Sequence, residues 1–106
     1  MQEHYPHPEI ADVQLGEVLQ ALSDPLRLRI VAALAQGDER GWGEFDAPVA
    51  PSTLSHHMKV LRQAGLVTHR REGTRCIVAL RPDLEERFPG LLGAVLRLTP
   101  AEQGAK

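Results

Sequence analysis

Apolar residues recur along this chain at two periods. Over most of its length they fall three to four residues apart, and in one short stretch two apart. The clearest segment opens at Pro51, where Leu54, Met58 and Leu61 define the buried stripe of an amphipathic helix with His57 beside it. Pro51 suits the first helical position, where its missing N–H is not needed. Gly65 suits the residue just past the end, where left-handed backbone closes the last turn. Upstream, Leu15, Val18, Leu19 and Leu22 form an i, i+3, i+4, i+7 stripe, with Ile10 earlier, which predicts a helix from Pro8 to about Leu22. Asp24-Pro25 predicts a second start, with Asp24 as N-cap and Pro25 at the first position. Leu26, Leu28, Ile30, Val31 and Leu34 cover most of that helix's circumference, so it should be central to the core, and Gly37 is its expected stop.

Residues 38–50 hold two glycines, a proline and only Trp42, Phe45 and Val49 as anchors, so a short or irregular element is expected. Over residues 67–80 two β-prone runs flank a Glu72-Gly73 turn and predict a hairpin. Pro82-Asp83 opens a last helical region, which Phe88-Pro89 interrupts, because the residue before proline avoids the α region. A second piece runs from Pro89 to about Leu98. The expected fold is mainly α with a small β-hairpin, in the order α-α-(short α)-α-β-β-α. It forms one domain over residues 9–98 between a flexible N-terminal tail, 1–8, and a polar C-terminal tail, 99–106.

The polar face of the Pro51 helix changes the picture from fold to function. It carries Ser52, His56, Lys59 and Gln63, with Ser55 and Arg62 on one flank, and no carboxylate. A face shaped only for solubility would mix signs; one presented to phosphates and base edges would not. Arginines 70, 71 and 75 then crowd the hairpin tip. From residue 51 to 81, Lys59, Arg62, Arg70, Arg71, Arg75 and Arg81 meet one anion, Glu72. This stretch carries +5 and, the whole chain being −2, the remainder carries −7. The net charge argues against binding nucleic acid by bulk attraction, but its concentration on helix and hairpin is the footprint of a DNA-binding surface.

Length and composition set further bounds. At 106 residues the core is modest. Leu91, Leu92, Val95, Leu96 and Leu98, with Arg97 as the only charge among them, give the last helix more apolar surface than a small domain leaves in water, which points to a partner subunit. There is no apolar run long enough to span a membrane and no signal-peptide pattern at the start. One cysteine, Cys76, excludes an internal disulfide framework and fits a reducing cytoplasm. It is expected to be a small packed residue, since the neighbouring Arg75 points to the other strand face.

Helix, Gly-Leu-Val and basic hairpin follow one another in the order of a winged helix-turn-helix. Residues 21–30, Ala-Leu-Ser-Asp-Pro-Leu-Arg-Leu-Arg-Ile, resemble the ArsR family of bacterial transcriptional repressors. So do 55–62, Ser-His-His-Met-Lys-Val-Leu-Arg, then Ala64-Gly65-Leu66-Val67 and Arg70-Arg71-Glu72-Gly73. The likeness spans roughly residues 15 to 98. It implies a homodimer reading an inverted repeat in double-stranded DNA and repressing by excluding polymerase. The implied base and backbone contacts are Ser52, Thr53, Ser55, His56, Lys59 and Arg62 on the recognition helix, and Arg70, Arg71 and Arg75 on the wing. The implied dimer interface draws on Leu15, Val18, Leu19 and Leu22 of the first helix, a stripe that could equally be spent inside one subunit, and on Leu91, Leu92, Val95 and Leu96 of the last.

Two departures from the family pattern bear on sensing. Where metal-sensing members carry a Cys-x-Cys pair, this chain has Trp42-Gly43-Glu44, and its last helix has no histidine for the family's other site. A metal effector is therefore disfavoured, no cofactor is expected, and an organic effector near Trp42 and Phe45 stays open. Ala50 replaces the usual capping Ser before the recognition helix and cannot cap. Adjacent helical residues point about 100° apart, so His56 and His57 cannot chelate one ion together. His4 and His7 are half a metal site at best. Arg27 and Arg29 are within reach of phosphate or surface carboxylates, but the resemblance implies that the Asp-Pro-x-Arg-x-x-Ile pattern they belong to is mainly structural. The alternative function is a winged helix used as a protein-interaction module without specific DNA binding. An enzyme is not expected: Ser55, His56 and Asp46 have no nucleophile elbow or oxyanion loop around them.

Overall fold

The chain's first firm helical start is written at Asp24-Pro25, and the computed structural model shows how. The Asp24 carboxylate accepts a 3.0 Å hydrogen bond from the backbone N–H of Arg27, and Pro25 opens the helix. Burial pushes the Asp24 carboxyl up, but the Arg27 N–H and the charges of His57 and Arg27 outweigh it and hold it below the usual value. The structure describes residues 6–36, 39–41, 45 and 48–99. Gly37, Trp42 and His4 lie outside them, so the helix stop and effector position read from the first two, and any ligand role of His4, go without a structural account.

The elements are α1 (Leu15–Leu22), α2 (Pro25–Ala35), β1 (Arg40–Gly41), α3 (Pro51–Gln63), β2 (Val67–Glu72), β3 (Arg75–Leu80), α4 (Leu84–Arg87) and α5 (Leu91–Arg97). The sheet is antiparallel in the order β1-β3-β2. Glu72 faces Arg75 across β2 and β3, leaving Gly73-Thr74 as a two-residue turn, and Gly73 takes the positive φ of 65° that the turn needs. The core joins Val18 and Leu22 of α1, Ile30, Val31 and Leu34 of α2, Leu54, Met58 and Leu61 of α3, and Leu66, Val67 and Val78 of the sheet.

Three expectations are corrected here. The helix expected from Pro8 begins only at Leu15. Residues Ile10–Asp12 form one 3₁₀ turn and Val13 is extended, because its side chain is buried against Gly65. The N-terminal segment is held from Pro6 onward rather than frayed. Arg62 Nε donates to the Pro6 carbonyl at 3.2 Å and the backbone N–H of His69 donates to His7 Nε2 at 3.0 Å. Arg81 donates to Pro8 at 2.6 Å, and Arg87 to Val13 at 2.9 Å. Finally, the hairpin gains a third strand, Arg40–Gly41, paired with Val78 and Ile77 of β3. The short helix expected between residues 38 and 50 has no counterpart among the described residues of that stretch.

The end of α3 folds as its sequence requires. The N–H of Leu66 donates to the Leu61 carbonyl and that of Gly65 to Arg62, the two bonds of a Schellman stop. Gly65 has φ 92°, and the helix therefore hands the chain directly into β2.

Candidate nucleic-acid interface

Burying Leu54, Met58 and Leu61 fixes which way α3 turns, and the rest follows from the wheel. Ser52, Thr53, Ser55, His56 and Lys59 are exposed on one continuous polar face. The N-terminal end of α3 has Ala50 at its cap position, so its first N–H groups have no side-chain cap among the described residues. Hydroxyls, an imidazole, an ammonium and a helix N-terminus thus share one surface, and all can donate hydrogen bonds to phosphate oxygens or base edges.

His57 does as its flanking position suggests. It is largely buried, and its Nδ1 lies 3.1 Å from an Arg27 terminal nitrogen and 4.0 Å from an Asp24 oxygen. Arg27 also donates through Nε to the Ala21 carbonyl at 2.7 Å. Arg27 therefore ties the end of α1 to α2 and α3, in keeping with the mainly structural role its motif implies, and only the partner escapes the sequence spacing, because the contact to His57 spans thirty residues.

Two expected DNA-binding arginines make contacts within the chain. Arg62 is only 8% exposed, with one terminal nitrogen 3.2 Å from His69 Nδ1 and its Nε on Pro6. The reason is the N-terminal segment, which covers the flank of α3 on which the wheel places it. His69 itself is buried. Its loss of water, then the facing charge of Arg62 and the nearby His7, push its pKa down to about 4. Arg70 is exposed but clamped: its terminal nitrogens donate to the two Glu39 oxygens at 2.8 and 2.9 Å, and to Glu72 at 3.4 Å. The hydrogen bonds from Arg70 hold the Glu39 carboxyl below the usual range, and those to Glu39 and then Glu72 raise Arg70. Glu39 escaped the sequence reading because a two-residue strand is too short to show a period. Arg71 and Arg75 remain exposed at the wing tip beside the turn.

The predicted dimer residues divide. Val18 and Leu22 are spent inside the domain, whereas Leu15 and Leu19 are 45% and 44% exposed; Leu98, outside the predicted set, is 79% exposed. Leu91, Leu92, Val95 and Leu96 are partly buried against the core. Cys76 is half-buried in β3, opposite Arg71. Phe45 packs at the core's edge with the Arg40 guanidinium 5.9 Å from its ring centre. Among the described residues no three His, Cys, Asp or Glu side chains gather in a metal-binding group, and no helix is long and apolar enough to cross a membrane.

Comparison with known proteins agrees with this geometry. A family model described as a helix-turn-helix domain matches residues 22–70. An uncharacterized HTH-type transcriptional regulator, YceK of Bacillus subtilis, is 36% identical over 73% of this chain and 81% of its own length. The biofilm growth-associated repressor of Agrobacterium fabrum is 35% identical over 85% of this chain and 78% of its own. Among solved structures, Rv0081 of Mycobacterium tuberculosis superposes with a TM-score of 0.62 at 28% identity, covering 85% of this chain and 92% of that one. An ArsR family transcriptional regulator shares the fold at 23% identity and a TM-score of 0.60, over 78% of this chain and 84% of that one.

Proposed function

Given that this chain belongs to the ArsR family of winged helix-turn-helix transcriptional regulators, we propose that it is a homodimeric repressor of the cytoplasm that binds an inverted repeat in double-stranded DNA. That it is a DNA-binding regulator and not an enzyme follows from the family. The observation that carries the finer reading is the carboxylate-free face of Ser52, Thr53, Ser55, His56 and Lys59, standing clear of the core on a helix with an uncapped N-terminus.

In this account α3 lies in the major groove. His56 and the hydroxyls of Ser52, Thr53 and Ser55 address base edges and adjacent phosphates, and Lys59 pairs with a phosphate as a point charge. The uncapped end of α3 meets the backbone where negative charge is best received. Arg71 and Arg75 carry the wing to the flanking backbone. Arg62, read from sequence as a contact, holds the N-terminal segment, and Arg70 is exposed but shared with Glu39, which phosphate must displace to reach it.

A second copy packs against Leu15 and Leu19 of α1 and Leu98 after α5, since a soluble single domain gains nothing from leaving these in water. A two-fold axis through that face sets two recognition helices about one DNA turn, or a multiple of it, apart. Repression then follows from occupying the promoter.

The test is fluorescence anisotropy of the purified protein on the duplex immediately upstream of its own coding region, at several salt concentrations, against a scrambled duplex. Selective binding that weakens steeply with salt supports the reading. Equal weak binding to both duplexes favours the interaction-module alternative.

A further inference from the structure

An open cleft of about 500 Å³ separates α1 from the C-terminal half of α3. Its volume is in the range of small-molecule sites. Its chemistry is uneven in a way that selects a ligand. Ala21, Val60 and Ala64 give it an apolar wall. Glu17 of α1 places a carboxylate on it, and Arg27 of α2 a guanidinium. These two do not pair with each other, and Glu17 makes no side-chain hydrogen bond or ion pair among the described residues. Arg27 spends one N–H on Ala21 and one on His57, leaving three of its five donors. A cation and an anion that line one cleft without neutralising each other suit a molecule carrying both charges. The apolar wall suits that molecule's side chain.

We propose that this cleft binds an apolar α-amino acid, its ammonium on Glu17 and its carboxylate on Arg27, and that occupancy withdraws His56 from DNA. His56 lines the same cleft and belongs to the exposed face of α3, so an occupant of the cleft crowds the side chain that addresses the base edge. Arg27 is also the residue that holds His57, so a carboxylate on Arg27 pulls at the contact that sets α3 against α1 and α2. The cleft opens on the flank of α1 opposite Leu15 and Leu19 and stays accessible when those are covered. The regulatory half of this inference rests on the DNA-binding reading. By linkage, DNA weakens the amino acid by the same factor as the amino acid weakens DNA.

The test is a titration of the ¹⁵N-labelled full chain with L-phenylalanine, L-leucine and L-tryptophan, followed by amide shifts. At least one should give saturable shifts at Glu17, Ala21, Val60 and Ala64 but not along α5. For that amino acid, the analogue lacking the carboxylate and the one lacking the ammonium should each bind about tenfold more weakly, as loss of a charge-assisted contact implies. Glu17→Gln should weaken binding several-fold, and Gln63→Trp, which fills the cleft from an exposed position, should abolish it while the spectrum stays folded. No saturable shift with any of the three, equal binding of the truncated analogues, or indifference to Gln63→Trp overturns the site. Binding that leaves duplex affinity unchanged overturns the regulation. Because the titration uses free protein, its failure leaves the DNA reading standing, whereas a chain that binds the amino acid but no duplex fails on that reading instead.

Discussion

Gly65 and Val13 meet so closely that a β-carbon on Gly65 would lie 2.5 Å from a Val13 methyl. The recognition helix can stop and turn into the sheet only because residue 65 has no side chain, and the segment before α1 packs into the space that leaves. Gly65→Ala combines this overlap with a left-handed φ of 92°. It should cost at least about 2 kcal/mol, a fall in Tm of roughly 10 °C. Thermal denaturation checks this, and Val13→Ala in the same chain should restore part of the loss. Simple additivity of the two changes would show that the contact is not the cause.

Stability should depend on pH through His69. Its folded pKa of about 4 lies below the unfolded value near 6.5. Between those limits the unfolded chain binds a proton that the folded one refuses. The contribution is fully present above about pH 6.5 and is lost as pH falls towards 4, reaching about 2 kcal/mol at pH 5. Urea unfolding at pH 7 and pH 5 should show this loss in the native chain and a smaller one in His69→Phe. Equal losses in both would remove His69 from the account.

The division among the interface leucines makes the dimer testable without unfolding the protein. Leu15→Glu with Leu19→Glu alters residues about half exposed in the isolated chain, so it should give a folded monomer by analytical ultracentrifugation and circular dichroism. Val18→Glu, at a position with no exposure, should unfold the chain instead. A Leu15/Leu19 variant that remains dimeric would place the interface elsewhere.

Glu39 competes with DNA phosphate for Arg70. Glu39→Gln removes the charge that clamps it and should steepen the salt dependence of duplex binding by about one unit of slope. An unchanged slope would mean that Arg70, even released, does not reach the backbone.

What could be read from sequence was whatever depends on local spacing. The turn of α3, its Pro51 start, its Gly65 stop and the cap of α2 follow from residues within a few positions of one another, and so did the exposed face of Ser52 to Lys59. What escaped was long-range. Arg62 sits on the wheel where a phosphate contact is reasonable, and only a carbonyl fifty-six residues earlier turns it inward. Arg70 reads as a free wing cation until a two-residue strand brings Glu39 to it. The apolar stripe that suggested one helix from Pro8 is interrupted at Val13 by a contact with Gly65, which no window along the chain contains.

The central claim is that the exposed face of α3 and the wing tip bind DNA backbone and bases. The most direct measurement is the salt dependence of anisotropy-detected binding for the native chain and for Lys59→Gln with Arg71→Gln, on the selectively bound duplex. Both residues are exposed, so the fold should survive. The account predicts markedly weaker binding and a slope shallower by about two, one unit for each lost phosphate contact. Unchanged affinity and slope in a folded variant would contradict it.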